Sequence, residues 1–418
     1  MPLTTHFFIW TMIILAVGGV AFRPWNWPEA IWPGLAVLIL FLSGLLPGRT
    51  VFRGMAQGEN VYLFLAGMML LAELARREGL FDWLAARAAM AAGGSARRLF
   101  GLVYLVGVLV TIFLSNDATA VVLTPAVAAV TRAAGVGERL PYLLACAFIA
   151  NAASFVLPIS NPANLVVFGG HMPALAGWLA RFALPSLASI IATYLALRWT
   201  QRRALVQPVA ANINIPVLSA SGRVAGYGIM GMAVILMLAS GFGLKLGPPT
   251  FTAGIATALA VGTAKRALPW AAVKEISWNV LALVAGLFVL VQALAATGVL
   301  AHLGSLLQGA AAVSPAGTAW SSGIALGILS NFVNNLPAAL IAGHTVIAAQ
   351  LPPKLPGAVL LGVDIGPNLS VTGSLATILW LAALRREGIE VSAWQFLKLG
   401  LVVMPPALAL ALLALGLG

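Results

Sequence analysis

The chain has 418 residues, of which 61% are hydrophobic and only 8% are Asp, Glu, Lys or Arg, with a formal net charge of +12. A water-facing globular surface ordinarily draws on roughly 25% charged residues, and an apolar chain is not a disordered one. The single cysteine, Cys146, excludes a disulfide scaffold and a multi-thiolate metal cage. The basic residues form short clusters between apolar runs rather than a stripe interleaved with aromatics, so the expected partner is a lipid bilayer and not nucleic acid.

The first apolar run, 7–22, is preceded only by His6 and followed by Arg23-Pro24-Trp25-Asn26-Trp27-Pro28. It reads as a spanning helix rather than a cleaved leader. About 20 apolar residues cross a bilayer. On that measure further spans fall near 29–46, 60–76, 140–171, 174–198, 224–243, 249–263, 278–297, 355–384 and 394–416. Two more apolar stretches, 99–132 and 316–350, are interrupted by polar clusters and read as re-entrant hairpins, leaving ten spans. With the N-terminus outside, 18 basic residues fall on the cytoplasmic face and 5 on the other. Threading the two hairpins as full spans would instead put Arg132 and Arg139 outside. Most of the 12 tryptophans flank the spans as an aromatic belt.

The chain also repeats itself. Ala66-Gly67, Leu71, Glu73 and Gly79 recur 219 positions later as Ala285-Gly286, Leu290, Gln292 and Gly298. Ser115-Asn116 recurs 215 positions later as Ser330-Asn331, and Pro162 and Asn164 recur about 205 later as Pro367 and Asn368. The expected fold is therefore an all-α polytopic membrane protein with ten transmembrane helices in two inverted five-helix repeats. Residues 1–198 form the first repeat, with a hairpin at 99–132 and a broken helix at 140–171. A cytoplasmic linker covers 199–223, and 224–418 form the second repeat, with a hairpin at 316–350 and a broken helix at 355–384. Five spans is an odd number, so the second half enters from the opposite side; such repeats belong to secondary transporters with a site at the midplane.

Four polar clusters mark that site. They are Ser115-Asn116-Asp117-Ala118-Thr119 before Pro125, and Pro158-Ile159-Ser160-Asn161-Pro162-Ala163-Asn164. In the second half they are Ser330-Asn331-Phe332-Val333-Asn334-Asn335 before Pro337, and Asp364-Ile365-Gly366-Pro367-Asn368. Proline breaks each helix, and broken backbone inside a membrane is tolerated where it lines a cavity or packs on protein. The expected solute-binding residues are Ser115, Asn116, Asp117, Asn161, Asn164, Ser330, Asn331, Asn334, Asn335, Asp364 and Asn368. A charge in hydrocarbon costs at least roughly 2.5–3.5 kcal/mol, so Asp117 and Asp364 must be paired, solvated or protonated. Both are expected proton carriers. No catalytic constellation or Walker A pattern occurs.

These clusters resemble the ion transporter superfamily, and within it the arsenite permease (ArsB) family. Ser115-Asn116-Asp117 and Ser330-Asn331-Phe332 stand where dicarboxylate carriers of that superfamily carry Ser-Asn-Thr tips. Asn161-Pro162-Ala163-Asn164 and Gly366-Pro367-Asn368 stand at their Gly-x-Pro-Asn breaks, and Gly362 through Thr377 looks like the arsenite permease form. The resemblance implies export of arsenite or antimonite across a bacterial inner membrane in exchange for protons. It implies no cofactor beyond the proton-motive force, and it is compatible with a soluble ATPase partner and with a homodimer. An ionised Asp117 would repel a dianion by about 4 kcal/mol for each unit charge at 4 Å and an effective dielectric of 20. A neutral metalloid hydroxide suffers no such penalty. The alternative is a sodium- or proton-coupled carrier of a dicarboxylate or other small ion. Cys146 reads as a small buried hydrophobe, Glu73 as an interfacial ion-pair partner, and His6, His171, His302 and His344 as interfacial residues.

Overall fold

The computed structural model describes residues 3–169, 172–211, 213–267, 269–352 and 354–417, and the regular elements among them are all helical. A helix satisfies its own backbone groups, which hydrocarbon requires. Six helices open the chain: α1 (Leu3–Phe22), α2 (Ile31–Leu42), α3 (Gly48–Gln57), α4 (Glu59–Arg77), α5 (Leu80–Ala91) and α6 (Ala96–Phe113). After a break at Leu114-Ser115, α7 (Asn116–Ala118), a π-helical stretch at Thr119–Leu123 and α8 (Thr124–Ala133) run on as one arm. Then come α9 (Leu140–Ala152), a second break, α10 (Pro162–Phe168) and α11 (Leu175–Thr200).

The rest of the chain follows with α12 (Ala220–Gly241), α13 (Gly247–Lys265), α14 (Trp270–Glu275), α15 (Trp278–Ala296), α16 (Val299–Val313) and α17 (Pro315–Val333). It closes with α18 (Asn335–Ala348), α19 (Lys354–Ile365), a 3₁₀ turn at Gly366–Leu369, α20 (Leu375–Arg386) and α21 (Ala393–Leu417). The linker is shorter than expected, 201–219 rather than 199–223, because α11 and α12 extend into it. Its extended part is strapped down by hydrogen bonds from the Val209 amide to the Gly94 carbonyl (3.1 Å) and from the Ala210 amide to the Ala134 carbonyl (2.9 Å).

By length and hydropathy, six single helices can cross a membrane: Thr4–Phe22, Ala96–Phe113, Leu175–Thr200, Ala220–Gly241, Trp278–Ala296 and Ala393–Leu417. The pair α3 and α4, bent by 47°, makes a seventh. The other expected spans are short, interrupted or rich in small polar residues. Thus α2 has 12 residues, and 140–171 and 355–384 each divide into two helices. Ala96–Phe113, expected as a hairpin arm, is itself long enough to span.

Small residues set the helix contacts, as they do where lipid removes the hydrophobic drive between helices. At the α4–α13 crossing, a Cβ on Gly67 would lie 2.4 Å from the Thr250 carbonyl oxygen. Where α17 meets α19, a Cβ on Gly362 would lie 2.2 Å from the Gly323 oxygen and one on Gly366 2.4 Å from the Gly327 oxygen. That contact holds α17 against the end of α19, where the polar residues begin.

Candidate functional site

Each of the four breaks starts a new helix with a polar side chain capping its free amides. Ser115 Oγ accepts from the Ala118 amide at 3.2 Å, and Asn161 Oδ1 from the Ala163 amide at 3.0 Å. Asn334 Oδ1 accepts from the Leu336 amide at 3.3 Å, and Ser374 Oγ from the Thr377 amide at 3.1 Å. Pro162 and Pro337 sit in the first turns of α10 and α18, where a missing N–H costs nothing. Pro125 does not end its helix. The ladder widens to the π-helical stretch just before it, and the Thr124 hydroxyl reaches the Thr119 carbonyl at 3.4 Å.

The breaks and tips are sewn together in a repeating way. The Asn116 amide donates to the Ser160 carbonyl (3.0 Å), one residue before the cap of α10. The Asn335 amide donates to the Gly373 carbonyl (2.9 Å), one residue before the cap of α20. The short helices then cross over: α10 packs on α18, and α20 packs on α7, the π-helical stretch and α8.

The two breaks also join at their centre. Asn161 Nδ2 donates to Asp364 Oδ1 at 2.8 Å, and Asn151 Nδ2 donates to Asn368 Oδ1 at 3.0 Å. Asn368 Nδ2 donates to the Phe148 carbonyl at 3.0 Å. Asn164 Nδ2 closes the first break onto the carbonyls of Ser154, Leu157 and Pro158 at 2.9, 3.2 and 3.3 Å. Asn331 Nδ2 reaches the Gly327 and Gly366 carbonyls at 2.7 and 3.0 Å, while its Oδ1 accepts from Ser370 Oγ at 2.9 Å.

Three acceptors are left over. Asn151 Oδ1, Asn164 Oδ1 and Asp364 Oδ2 are buried with no hydrogen-bond partner among the described residues. Asp364 is fully buried, and no Arg or Lys pairs with it or with Asp117 among the described residues. Asp117 is half-buried; its backbone amide donates to Asn116 Oδ1 at 2.9 Å, and its carboxylate makes no bond to a described side chain.

The structure moves one expected feature. The sequence places the second tip at Ser330-Asn331-Phe332, but α17 continues through Val333 and the chain turns at Asn334, with φ 70° and ψ 151°. Nothing at 330–332 stops a helix, and Asn tolerates positive φ better than most residues. Asn334-Asn335 is therefore the counterpart of Ser115-Asn116, at the same offset of 219 that relates Glu73 to Gln292. Ser330 and Asn331 both lie within α17: the Ser330 hydroxyl donates to the Gly327 carbonyl of the same helix at 3.2 Å, and Asn331 alone fastens the helix to the 366–373 segment. Asn331 commits both ends of its side chain to its surroundings and is a support, whereas Asn164 commits only its Nδ2 to broken backbone and keeps Oδ1 free. Two cavities, of about 490 and 860 Å³, are lined by none of the eleven expected residues.

Two features escaped the sequence. Asn151 is the penultimate residue of α9, as Asp364 is of α19. Ser374 and Thr377 pair their hydroxyls at 2.9 Å beyond the second break, next to Ser370 and Thr372, which the sequence does mark there and which pair at 3.2 Å. Asn151 sits in an otherwise apolar run, and the equivalence of α9 and α19 is the signal that would have found it. Outside the site, Glu73 pairs with Arg76 (2.6 Å) and Arg77 (2.9 Å). Cys146 is buried, its thiol directed at the Tyr142 carbonyl 3.6 Å away. His171 lies outside the described residues.

Interrupted helices interleaved around buried, uncompensated polar groups in an apolar chain define a multi-pass membrane transporter. The chain belongs to the CitMHS citrate transporter family, whose model matches residues 7–366. It is 26% identical over 363 residues to an arsenical pump membrane protein of Yersinia enterocolitica, covering 84% of each chain. To a putative arsenical pump membrane protein of Bacillus subtilis it is 25% identical over 419 residues, covering 92% of this chain and 93% of that one. Among solved structures it shares its fold with the Alcanivorax borkumensis YdaH transporter, at TM-score 0.60 and 18% identity, covering 88% of this chain and 87% of that one.

Proposed function

We propose that this protein is a secondary active transporter that exports arsenite and antimonite from the cytoplasm in exchange for protons. The observation that carries the reading is the set of three buried acceptors without partners on two interleaved helix breaks. A neutral trihydroxide such as As(OH)₃ donates hydrogen bonds, and acceptors of this kind suit it. Asp117 at the first tip and Asp364 at the second break are the proton carriers, each exchanging its proton as the site opens alternately to the two sides. The names borne by the Yersinia and Bacillus relatives support the same substrate.

In this reading the chain forms ten spans in two inverted halves with the N-terminus outside, in a bacterial inner membrane. The matched element order supports it: α4, α5, α6, α9, α10 and α11 recur in sequence as α15, α16, α17, α19, α20 and α21, with equivalent tip contacts to Ser160 and Gly373. Neither a soluble ATPase nor a second copy is needed for the exchange itself. Both remain partners that the reading accommodates.

A second reading, a sodium- or proton-coupled citrate or dicarboxylate carrier, is favoured by the family model's description. Everted vesicles separate the two. Export predicts arsenite accumulation on energisation, abolished by a protonophore and indifferent to sodium. Citrate uptake driven by sodium, with no arsenite movement, would replace the first reading by the second.

A further inference from the structure

A cavity of about 860 Å³ lies between α12, the α5–α6 pair and the linker residues Ile215 to Leu218, and the transport reading makes no use of it. Its wall is apolar, with Leu80 and Leu84 from α5, Val110 and Phe113 from α6, and Ile229 and Met230 from α12. Met230 is 67% exposed on the protein, so this wall opens toward the bilayer. Two guanidinium groups, Arg87 on α5 and Arg223 in the first turn of α12, also border it. Both lie in segments that the charge distribution assigns to the cytoplasmic side.

Neither arginine makes an ion pair among the described residues. Arg87 lies 5.2 Å from the centroid of the Trp83 ring, which holds the cation beside the groove without neutralising it. The neighbouring carboxylates do not neutralise the pair either. Glu78 is held by Lys265 and Ser221, at 2.6 and 2.5 Å, and Asp82 is not among the residues lining the cavity. An apolar groove open to lipid, bordered by uncompensated basic side chains at the cytoplasmic level, matches an acyl chain joined to an anionic headgroup.

We propose that this groove is a binding site for an anionic phospholipid of the surrounding bilayer. The headgroup is held by Arg87 and Arg223, and an acyl chain lies between α12 and α6. The groove reaches Leu114, the residue before Ser115 of the first tip, so the bound lipid fills the space beside that tip.

The test uses the full-length protein in phosphatidylcholine nanodiscs, titrated with acyl-spin-labelled phosphatidylglycerol or phosphatidylcholine. Phosphatidylglycerol should be immobilised preferentially, by about fivefold for each arginine, the ratio equivalent to about 1 kcal/mol per basic residue near an anionic headgroup. The R87Q/R223Q variant should lose that preference, whereas R97Q/R98Q, which removes two exposed charges elsewhere on the same face, should keep it. A Cβ on Gly226 would sit 3.6 Å from Leu80 Cδ1, an ordinary contact, so Gly226→Met fills the groove and should expel the label with both arginines present. Equal immobilisation of the two lipids, an unchanged preference in R87Q/R223Q, or full labelling of Gly226→Met would each overturn the proposal.

Discussion

At the first interruption α9 ends one residue after Asn151; at the second, α19 ends one residue after Asp364. The tips differ in the complementary way, since Asn116 is followed by Asp117 and Asn335 by Leu336. Both tips donate a backbone amide to the residue before a capped half-helix, at 3.0 and 2.9 Å, so the backbone device is shared. The ionisable chemistry is not: each half holds one carboxyl where the other holds a neutral residue. In the proposed exchange, the two halves share this backbone geometry and divide the proton-binding groups between a tip and a break.

The sharpest way to break that comparison is at Asp364. Asp364→Asn keeps an acceptor for Asn161 Nδ2, so thermal unfolding in detergent should change by less than about 1 kcal/mol. Proton-driven arsenite accumulation in everted vesicles should fall to background. Asp364→Leu should do the same and also unfold earlier, because an unpaired buried amide costs about 1–3 kcal/mol. Wild-type accumulation by Asp364→Asn would remove this carboxyl from the coupling role.

Asp117 has a smaller structural stake. Its carboxylate holds no described side chain, so Asp117→Asn should leave stability within about 0.5 kcal/mol. Its transport should lose dependence on the proton gradient while equilibrative arsenite exchange persists. If exchange and gradient-driven accumulation fell in parallel, Asp117 would be a solute contact rather than a proton carrier.

The breaks were legible because Pro and Asn are conspicuous in apolar sequence. Asn161 and Ser115 were read in the places where they cap α10 and α7. The second tip was misplaced because Ser330-Asn331 copies the lettering of Ser115-Asn116, while the helix-ending conformation belongs to Asn334, whose φ of 70° no composition announces. Asn151 was missed for the opposite reason: it stands alone, and only the pairing with Asn368 across 217 positions gives it meaning. Which amides support backbone and which remain free was also invisible, since that depends on where distant carbonyls fall.

The two halves differ again in how their hairpin arms are packed. In the second, α17 meets α19 backbone to backbone, and a Cβ on Gly362 would lie 2.2 Å from the Gly323 carbonyl oxygen. In the first, α6 meets α9 through a side chain, with a Cβ on Gly107 falling 2.7 Å from Ile149 Cγ2. The Gly323 oxygen belongs to a helix backbone, while the Ile149 methyl is buried, branched at Cβ and held to one rotamer in its helix, so both contacts resist a methyl group. Gly362→Ala meets the shorter contact with no side-chain freedom at all and should cost about 1–3 kcal/mol, and Gly107→Ala should cost less, read as a difference in unfolding midpoint in the same detergent. Equal costs would mean that the α17–α19 backbones part as readily as a buried side chain is displaced.

The smallest effect belongs to the ties that join the halves at their rim. Glu387, just after α20, accepts from Arg132 at the end of α8, and Arg139 Nη1 lies 3.9 Å from the same carboxylate. Arg132 is 61% exposed, so the pair competes with water and is screened by salt. Glu387→Gln should lower stability by about 0.2–1 kcal/mol, and the difference should shrink as ionic strength rises, since screening lengths contract to about 3 Å at 1 M. The packing of α20 on α8 buries apolar surface next to this pair and is untouched by the substitution, so transport should survive it. A loss of transport with unchanged stability would instead make Glu387 part of the motion between the halves, and would move the division of labour from the buried carboxyls to the rim.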